Sequence, residues 1–368
     1  MINLILILAV LFLAFNNGAN DNFKGVATLY SSKTVSYKKA LFWATTTTIS
    51  GSICSIFLAK SLLKNFSGKG LVPDVLLLNP IFPISIAIGA ALTIFIATKS
   101  GMPVSTTHAL VGSLFGVGFM AVGNEFNFKK LTDAFIVPLL TSPLLASLCA
   151  VVLYYLFSTT RKKLGIKKES CLCLIEDSYA KINCNSFVSD VKIESSLTIS
   201  SCTSVSETYS NRILGVSSQK IVNFFHFISA GAVGFARGLN DTPKIAGILL
   251  IITSVNSNWS LFAIALVMAI GGILNAKKVA NTMSNKISAM NFGQGFTANL
   301  ITSLLVSTAS FNGLPVSTTH VSVGSIFGIG LVNQSADYKT ILKIVTSWVL
   351  TLPIAAIISG FIFYTFKL

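Results

Sequence analysis

The chain has 368 residues, of which 52% are hydrophobic and 11% charged, and a formal net charge of +15. A water-soluble domain needs roughly a quarter of its residues charged to cover its surface, so an ordinary soluble globule is excluded. The basic balance does not imply a nucleic-acid partner either, because Lys and Arg cluster in the connections between apolar stretches and not along one soluble face.

In chain order, the run from Ile2 to Phe15 resembles a signal-peptide core but lacks a basic leader and a convincing small-residue cleavage site, so it reads as a retained first membrane segment. Apolar segments cover about 2–30 (broken near Gly18), 40–58, 80–98, 103–122 and 131–157. After a polar stretch they resume at about 221–256 (broken near Gly238), 258–275, 291–311, 314–334 and 341–366. Within them Phe82 to Ala97, Phe135 to Phe157, Trp259 to Ala276 and Ile344 to Phe366 carry no charged residue and approach the roughly 20 residues that cross hydrocarbon as a helix. Lys60, Lys64 and Lys69 fall between two such segments and are expected at the membrane interface.

The polar stretch 158–220 holds nine of the 27 Lys and Arg residues and four of the six cysteines, Cys171, Cys173, Cys184 and Cys202. The positive-inside tendency makes it cytoplasmic, where its thiols stay reduced. The Cys171/Cys173 pair has no matching pair and no loop histidine with which to build a metal site, and the stretch is expected to be a loosely ordered linker. The plan is therefore a first transmembrane repeat at 1–157, a cytoplasmic linker at 158–220 and a second repeat at 221–368.

Two signatures recur in the same order. Gly101-Met102-Pro103-Val104-Ser105-Thr106-Thr107-His108 returns as Gly313-Leu314-Pro315-Val316-Ser317-Thr318-Thr319-His320, with seven of eight positions identical. Upstream, the pattern G-x-N-D-x-x-K occurs at Gly18 to Lys24 and at Gly238 to Lys244. An odd number of crossings per half inverts the second half. The expected fold is an all-α polytopic membrane protein of two inverted-topology repeats, with discontinuous or re-entrant helices, about 10–12 membrane segments, both termini extracytoplasmic and a site near the midplane.

Of twelve Asp and Glu residues, only Asp21 and Asp241 lie deep in the apolar segments, at equivalent positions of the two repeats. A carboxylate at membrane depth costs several kcal/mol unless paired, which marks both as functional candidates. Asn20 and Asn240 precede them and supply further hard oxygen ligands suited to sodium or protons rather than to a transition metal. The P-V-S-T-T-H element places a proline at a helix start, followed by hydroxyls and free N–H groups able to hold an anion; alternatively, the hydroxyls bind helix to helix. His108 and His320 either bond neighbouring helices or relay protons, and His226, with no counterpart, is expected to be structural.

On these four motif copies the chain resembles the inorganic phosphate transporter family, whose halves carry G-A-N-D and P-V-S-T-T-H signatures in this order. The resemblance spans both repeats and omits the 158–220 linker. It implies about twelve helical elements with re-entrant pieces and phosphate uptake coupled to sodium or protons. It further implies that Asn20, Asp21, Asn240 and Asp241 form the cation and substrate centre, and that Ser105, Thr106, Thr107, Ser317, Thr318 and Thr319 hold the anion. Some members of the family move sulfate, so a permease for another tetrahedral oxyanion is the alternative. The chain departs from the family pattern where Asn22-Phe23-Lys24-Gly25 follows the first Asp. Lys24 and Lys244 each stand three residues beyond a buried Asp, close enough on a helix to pair with it and compensate its charge, unless they snorkel outward as anchors. Such fixed charge would favour proton over sodium coupling.

No cofactor is expected beyond the coupling ion. The expected partners are inorganic phosphate, that cation and the lipid bilayer, and a homo-oligomer is compatible with the sequence. An intramembrane hydrolase using Ser105 or Ser317 as nucleophile is the rival from another class. It gains nothing from two matching copies, and a non-enzymatic transporter in the cell membrane is the preferred reading.

Overall fold

The computed structural model describes residues 2–32, 34–165, 168–173, 204–209, 212–213, 216–251, 257–285 and 290–367. Its contacts divide the chain into two compact units, one of residues 1–158 with 222–368 and one of residues 159–221. In the smaller unit β1 (Lys168–Cys173) pairs antiparallel with β2 (Ser204–Tyr209), Lys168 opposite Tyr209 and Cys173 opposite Ser204, and β3 (Arg212–Ile213) pairs with β4 (Val216–Ser217). Part of the expected linker is therefore paired as strands rather than loosely ordered. Cys171 and Cys173 lie on β1, whereas Cys184 and Cys202 lie outside the described residues.

The larger unit is helical. Its long helices are α1 (Ile2–Asp21), α2 (Tyr37–Leu58), α3 (Ile81–Lys99), α4 (Thr106–Val122) and α5 (Val137–Lys163) in the first half. The second half carries α6 (Ser218–Gly247), α7 (Ser257–Asn275), α8 (Lys277–Asn285), α9 (Phe292–Phe311), α10 (Thr318–Asn333) and α11 (Tyr338–Lys367). Each of the ten expected segments contains a helix. Among the described residues, six helical stretches are long and apolar enough to cross a membrane, and α7 with α8, bent by 74°, makes a seventh. The expected 10–12 is higher because α6 carries Arg237, Asp241 and Lys244, α9 carries Gln294, Thr297 and Asn299, and α10 has only 16 residues. These helices bury polar faces inside the bundle. Leu140, Leu144, Leu148, Val152 and Tyr155 instead form an exposed apolar stripe along α5, as a lipid-facing helix requires.

The halves interlock by reciprocal close contacts. A Cβ on Gly18 of α1 would lie 1.9 Å from the Met268 carbonyl oxygen of α7, and one on Gly238 of α6 would lie 2.1 Å from the Thr48 carbonyl oxygen of α2. Gly112 of α4 meets Leu352 of α11 in the same way, and Gly324 of α10 meets Pro143 of α5. Each contact therefore recurs with the halves exchanged, the pattern of an approximate two-fold axis. Small residues allow such approach where no water-driven hydrophobic force presses helices together.

These contacts correct the expected breaks at Gly18 and Gly238. α1 runs through Gly18 to Asp21 and breaks only afterwards, before a 3₁₀ turn at Lys24–Val26 and a short helix at Ala27–Ser31. α6 runs unbroken through Gly238 to Gly247, with Pro243 inside it. The glycines are there for close packing, not for loosening the helix. Lys60 and Lys64 lie on a short helix, Lys60–Asn65, whose Asn65 donates to the Gly313 carbonyl at 2.9 Å.

Gly18→Ala should lower the thermal midpoint of the detergent-purified protein, because displacing a backbone carbonyl in a packed core costs about 1–3 kcal/mol. An unchanged midpoint would show that α1 and α7 can separate without penalty.

Candidate functional site

Each P-V-S-T-T-H element folds as a loop leading into a helix. Gly101 and Gly313 both take φ of +70°, a left-handed turn that suits glycine, and each loop then runs into α4 or α10. Ser105 and Ser317 are the N-caps, their Oγ atoms accepting from the His108 and His320 backbone N–H groups at 3.1 and 3.3 Å.

Asp21, at the C-terminal end of α1, faces this first helix start. Its Oδ2 accepts from the Thr106 hydroxyl at 3.0 Å and from the Asn17 amide at 3.2 Å, and its Oδ1 forms an ion pair with Lys24. Lys24 Nζ also donates to Asn20 Oδ1 (3.0 Å), to the Val104 carbonyl (2.7 Å) and to Thr319 Oγ1 of the other repeat (2.6 Å). Asn20 clamps the loop: its amide donates to Thr98 Oγ1 and to the Met102 carbonyl, both at 3.0 Å, and its oxygen accepts from the Val104 N–H at 3.2 Å.

The second repeat reproduces the plan. Lys244 Nζ lies 3.5 Å from Asp241 Oδ1 and donates to the Val316 carbonyl (2.6 Å) and to Thr107 Oγ1 of the first repeat (2.8 Å). Asn240 donates to the Val316 carbonyl (3.2 Å), Thr318 Oγ1 (3.3 Å) and Asp241 Oδ1 (3.0 Å), and accepts from Ser310 at 3.2 Å. Thr107 and Thr319 cross between halves once more, donating to the Val316 and Val104 carbonyls at 3.3 and 3.1 Å.

All ten of the predicted polar site residues, with both lysines, are buried; eight of the ten join the lysines in this network, whereas Ser105 and Ser317 bond only the backbone N–H groups of the helices they cap. Lys24 and Lys244 are 2% and 1% exposed, so neither is an interfacial anchor. Two further residues, Asn17 and Arg237, were not anticipated, although the repeat aligns them immediately before Gly18 and Gly238. Asn17 also donates to Asp241 Oδ2 at 3.3 Å, and Arg237 donates to Asn17 Oδ1 at 2.8 Å, so the two repeats meet here. The residue before each glycine was the available signal, and it was missed because Asn17 and Arg237 do not match each other.

The histidines pack behind the helix starts. Their rings meet edge to face with centroids 4.4 Å apart; His108 Nδ1 lies 3.0 Å from the Trp348 carbonyl and His320 Nδ1 3.3 Å from the Leu139 carbonyl, joining each helix to the other half. Neither imidazole is hydrogen-bonded to Ser105 or Ser317, whose hydroxyls receive backbone N–H groups instead, so the nucleophile–base pair of a hydrolase is not built. His226 lies 3.0 Å from Thr28.

Interlocked helical halves around a buried, paired-charge centre define a polytopic membrane transporter rather than an enzyme. The chain belongs to the phosphate transporter family, whose sequence profile matches residues 17–359. A protein of Thermococcus kodakarensis provisionally named a phosphate permease is 26% identical over 400 residues, covering 98% of this chain and 96% of that one. A Bacillus subtilis protein provisionally named a low-affinity inorganic phosphate transporter is 24% identical over 380 residues, covering 99% and 97%. The solved structure of a sodium-dependent phosphate transporter shares the fold, with a TM-score of 0.76 at 21% identity over 100% of this chain and 99% of that chain.

Thr106 donates to a carboxylate, whereas Thr318 accepts from an amide. Thr106→Val should therefore destabilise the protein more than Thr318→Val, by about 1–3 kcal/mol for a buried charged acceptor that loses a donor. Thermal unfolding of both variants in detergent measures the difference, and equal midpoints would contradict this assignment.

Proposed function

We propose that the protein carries inorganic phosphate across the cell membrane as a secondary active transporter driven by a proton or sodium gradient. The observation that carries this reading is the reciprocal crossing of the centre, in which Lys24 holds Thr319 and Lys244 holds Thr107. Each lysine–threonine pair joins the two repeats, so rocking one repeat against the other must break and remake bonds at the same place where an anion would bind. Donors now held by the Val104 and Val316 carbonyls would turn to phosphate oxygens, which offer several acceptors in a tetrahedral array. Asp21 and Asp241 hold the lysines in place by ion pairing, Asn20 and Asn240 hold the loops, and Ser105 and Ser317 start the helices that present Thr106, Thr107, Thr318 and Thr319. If the coupling ion is sodium, Asn20, Asp21, Asn240 and Asp241 are its oxygen ligands.

This reading includes inverted repeats, with the 158–220 linker cytoplasmic and both termini outside. Family membership and the relatives' names support phosphate as substrate, and competition with sulfate decides between it and another tetrahedral oxyanion.

The test is uptake of radiolabelled phosphate into liposomes containing the purified protein, under separate proton and sodium gradients and with excess sulfate as competitor. Saturable, gradient-driven uptake that sulfate does not displace is expected; passive, non-saturating flux would identify a channel instead. Asp21→Asn should abolish uptake, and because removing one partner of a buried pair costs about 3–5 kcal/mol, it should also lower the thermal midpoint. The double substitution Asp21→Asn with Lys24→Gln should recover the midpoint without recovering uptake. Recovery of uptake in the double variant would remove the pair from the transport mechanism.

A further inference from the structure

Among the described residues, the buried charged side chains other than histidine are Asp21, Lys24, Arg237, Asp241 and Lys244, and all five belong to the centre. The repeats supply one carboxylate and one lysine each, so a symmetric centre would be formally neutral. Arg237 breaks the symmetry, because its counterpart in the first repeat is the neutral Asn17, which it touches. Three cations face two carboxylates, leaving one positive charge in excess.

Arg237 is held from several sides. Its Nη1 donates to Asn22 Oδ1 at 3.1 Å and to Thr48 Oγ1 at 3.2 Å, and its Nη2 donates to Asn17. The Nε atom lies 3.8 Å from Asp241 Oδ2, too far for a hydrogen bond, and this buried N–H has no acceptor among the described residues. A guanidinium clamped by two nitrogens, with the third unused, provides both fixed charge and a free donor at the junction of the repeats.

A neutral centre that took up an anion would hold an uncompensated charge in a medium of low dielectric constant and would need a cation to bind with it. A centre with one excess positive charge becomes neutral on binding a singly charged anion. We propose that Arg237 sets the charge of the site, so that it accepts dihydrogen phosphate, or a similar singly charged tetrahedral oxyanion, without a metal co-ion. This rests on the phosphate-transport reading above. Any accompanying proton is then carried on the phosphate itself, as the proton that converts the hydrogen phosphate dianion to the dihydrogen monoanion.

The experiment compares initial rates of phosphate uptake by the full-length protein in liposomes, in choline and in sodium media, for wild type, Arg237→Asn and Arg237→Lys. Calorimetric titration of each purified protein with inorganic phosphate in the same two media reads binding without turnover. Wild type is expected to show equal uptake and equal affinity in both media. Arg237→Asn, which makes the repeats symmetric, should bind phosphate about tenfold more weakly in choline, with sodium restoring part of the affinity. Arg237→Lys should be slower than wild type but still indifferent to sodium. Sodium stimulation of the wild type would overturn the inference while leaving phosphate transport intact. Equal losses in both arginine variants, unrelieved by sodium, would also overturn it and make Arg237 a structural clamp. Absence of phosphate uptake or binding by wild type in either medium would sink the transport reading and the inference with it.

Discussion

The structure depends on the requirement that charge buried at membrane depth be paired. Two carboxylates and three cations lie inside a helical bundle with exposures of 3% or less. Every other feature of the centre follows from keeping these groups satisfied. Lys24 reaches four acceptors, and the amides of Asn20 and Asn240 pin the loops that supply two of the backbone carbonyls. The threonines that complete the lysine shells come from the opposite repeat, so charge pairing and assembly of the two halves are one event.

Close packing makes that event geometrically possible. Glycines at four pairs of equivalent or reciprocal places bring α1 onto α7, α6 onto α2, α4 onto α11 and α10 onto α5. With any larger residue the helices would separate, and hydrogen bonds between repeats that now lie at 2.6–2.8 Å would stretch. The tolerance for approach is thus set at Gly18 and Gly238, one turn from the aspartates whose environment they define.

The solved transporter shares this fold at 21% identity, which fits a fold specified mainly by small-residue packing and a few buried polar positions. Apolar positions that face lipid need only to be apolar, whereas the buried contacts demand particular residues. The asymmetry between Asn17 and Arg237 stands out against that background. It alters the charge of a site that the repeats otherwise build identically, and it does so where both halves touch.

The sequence by itself determined the class of protein and marked the duplicated motifs whose polar residues the fold buries together. Charge-free stretches such as Phe135 to Phe157 can only be buried in lipid or in protein, and Asp21 and Asp241 are conspicuous because carboxylates are costly there. The pairing of Lys24 and Lys244 with those aspartates was legible because residues three apart on a helix share a face. Tertiary structure alone decided the rest. That Gly18 and Gly238 serve close contact and not helix breaks depends on Met268 and Thr48, hundreds of residues away in one case and nearly two hundred in the other. That Thr319 belongs to Lys24, and Thr107 to Lys244, depends on how one repeat turns against its copy, which no local pattern encodes. Arg237 does not match its repeat counterpart and acquired its meaning only when the fold set it beside Asn17 and Asp241, because the energy of a buried charge is fixed by its neighbours in space.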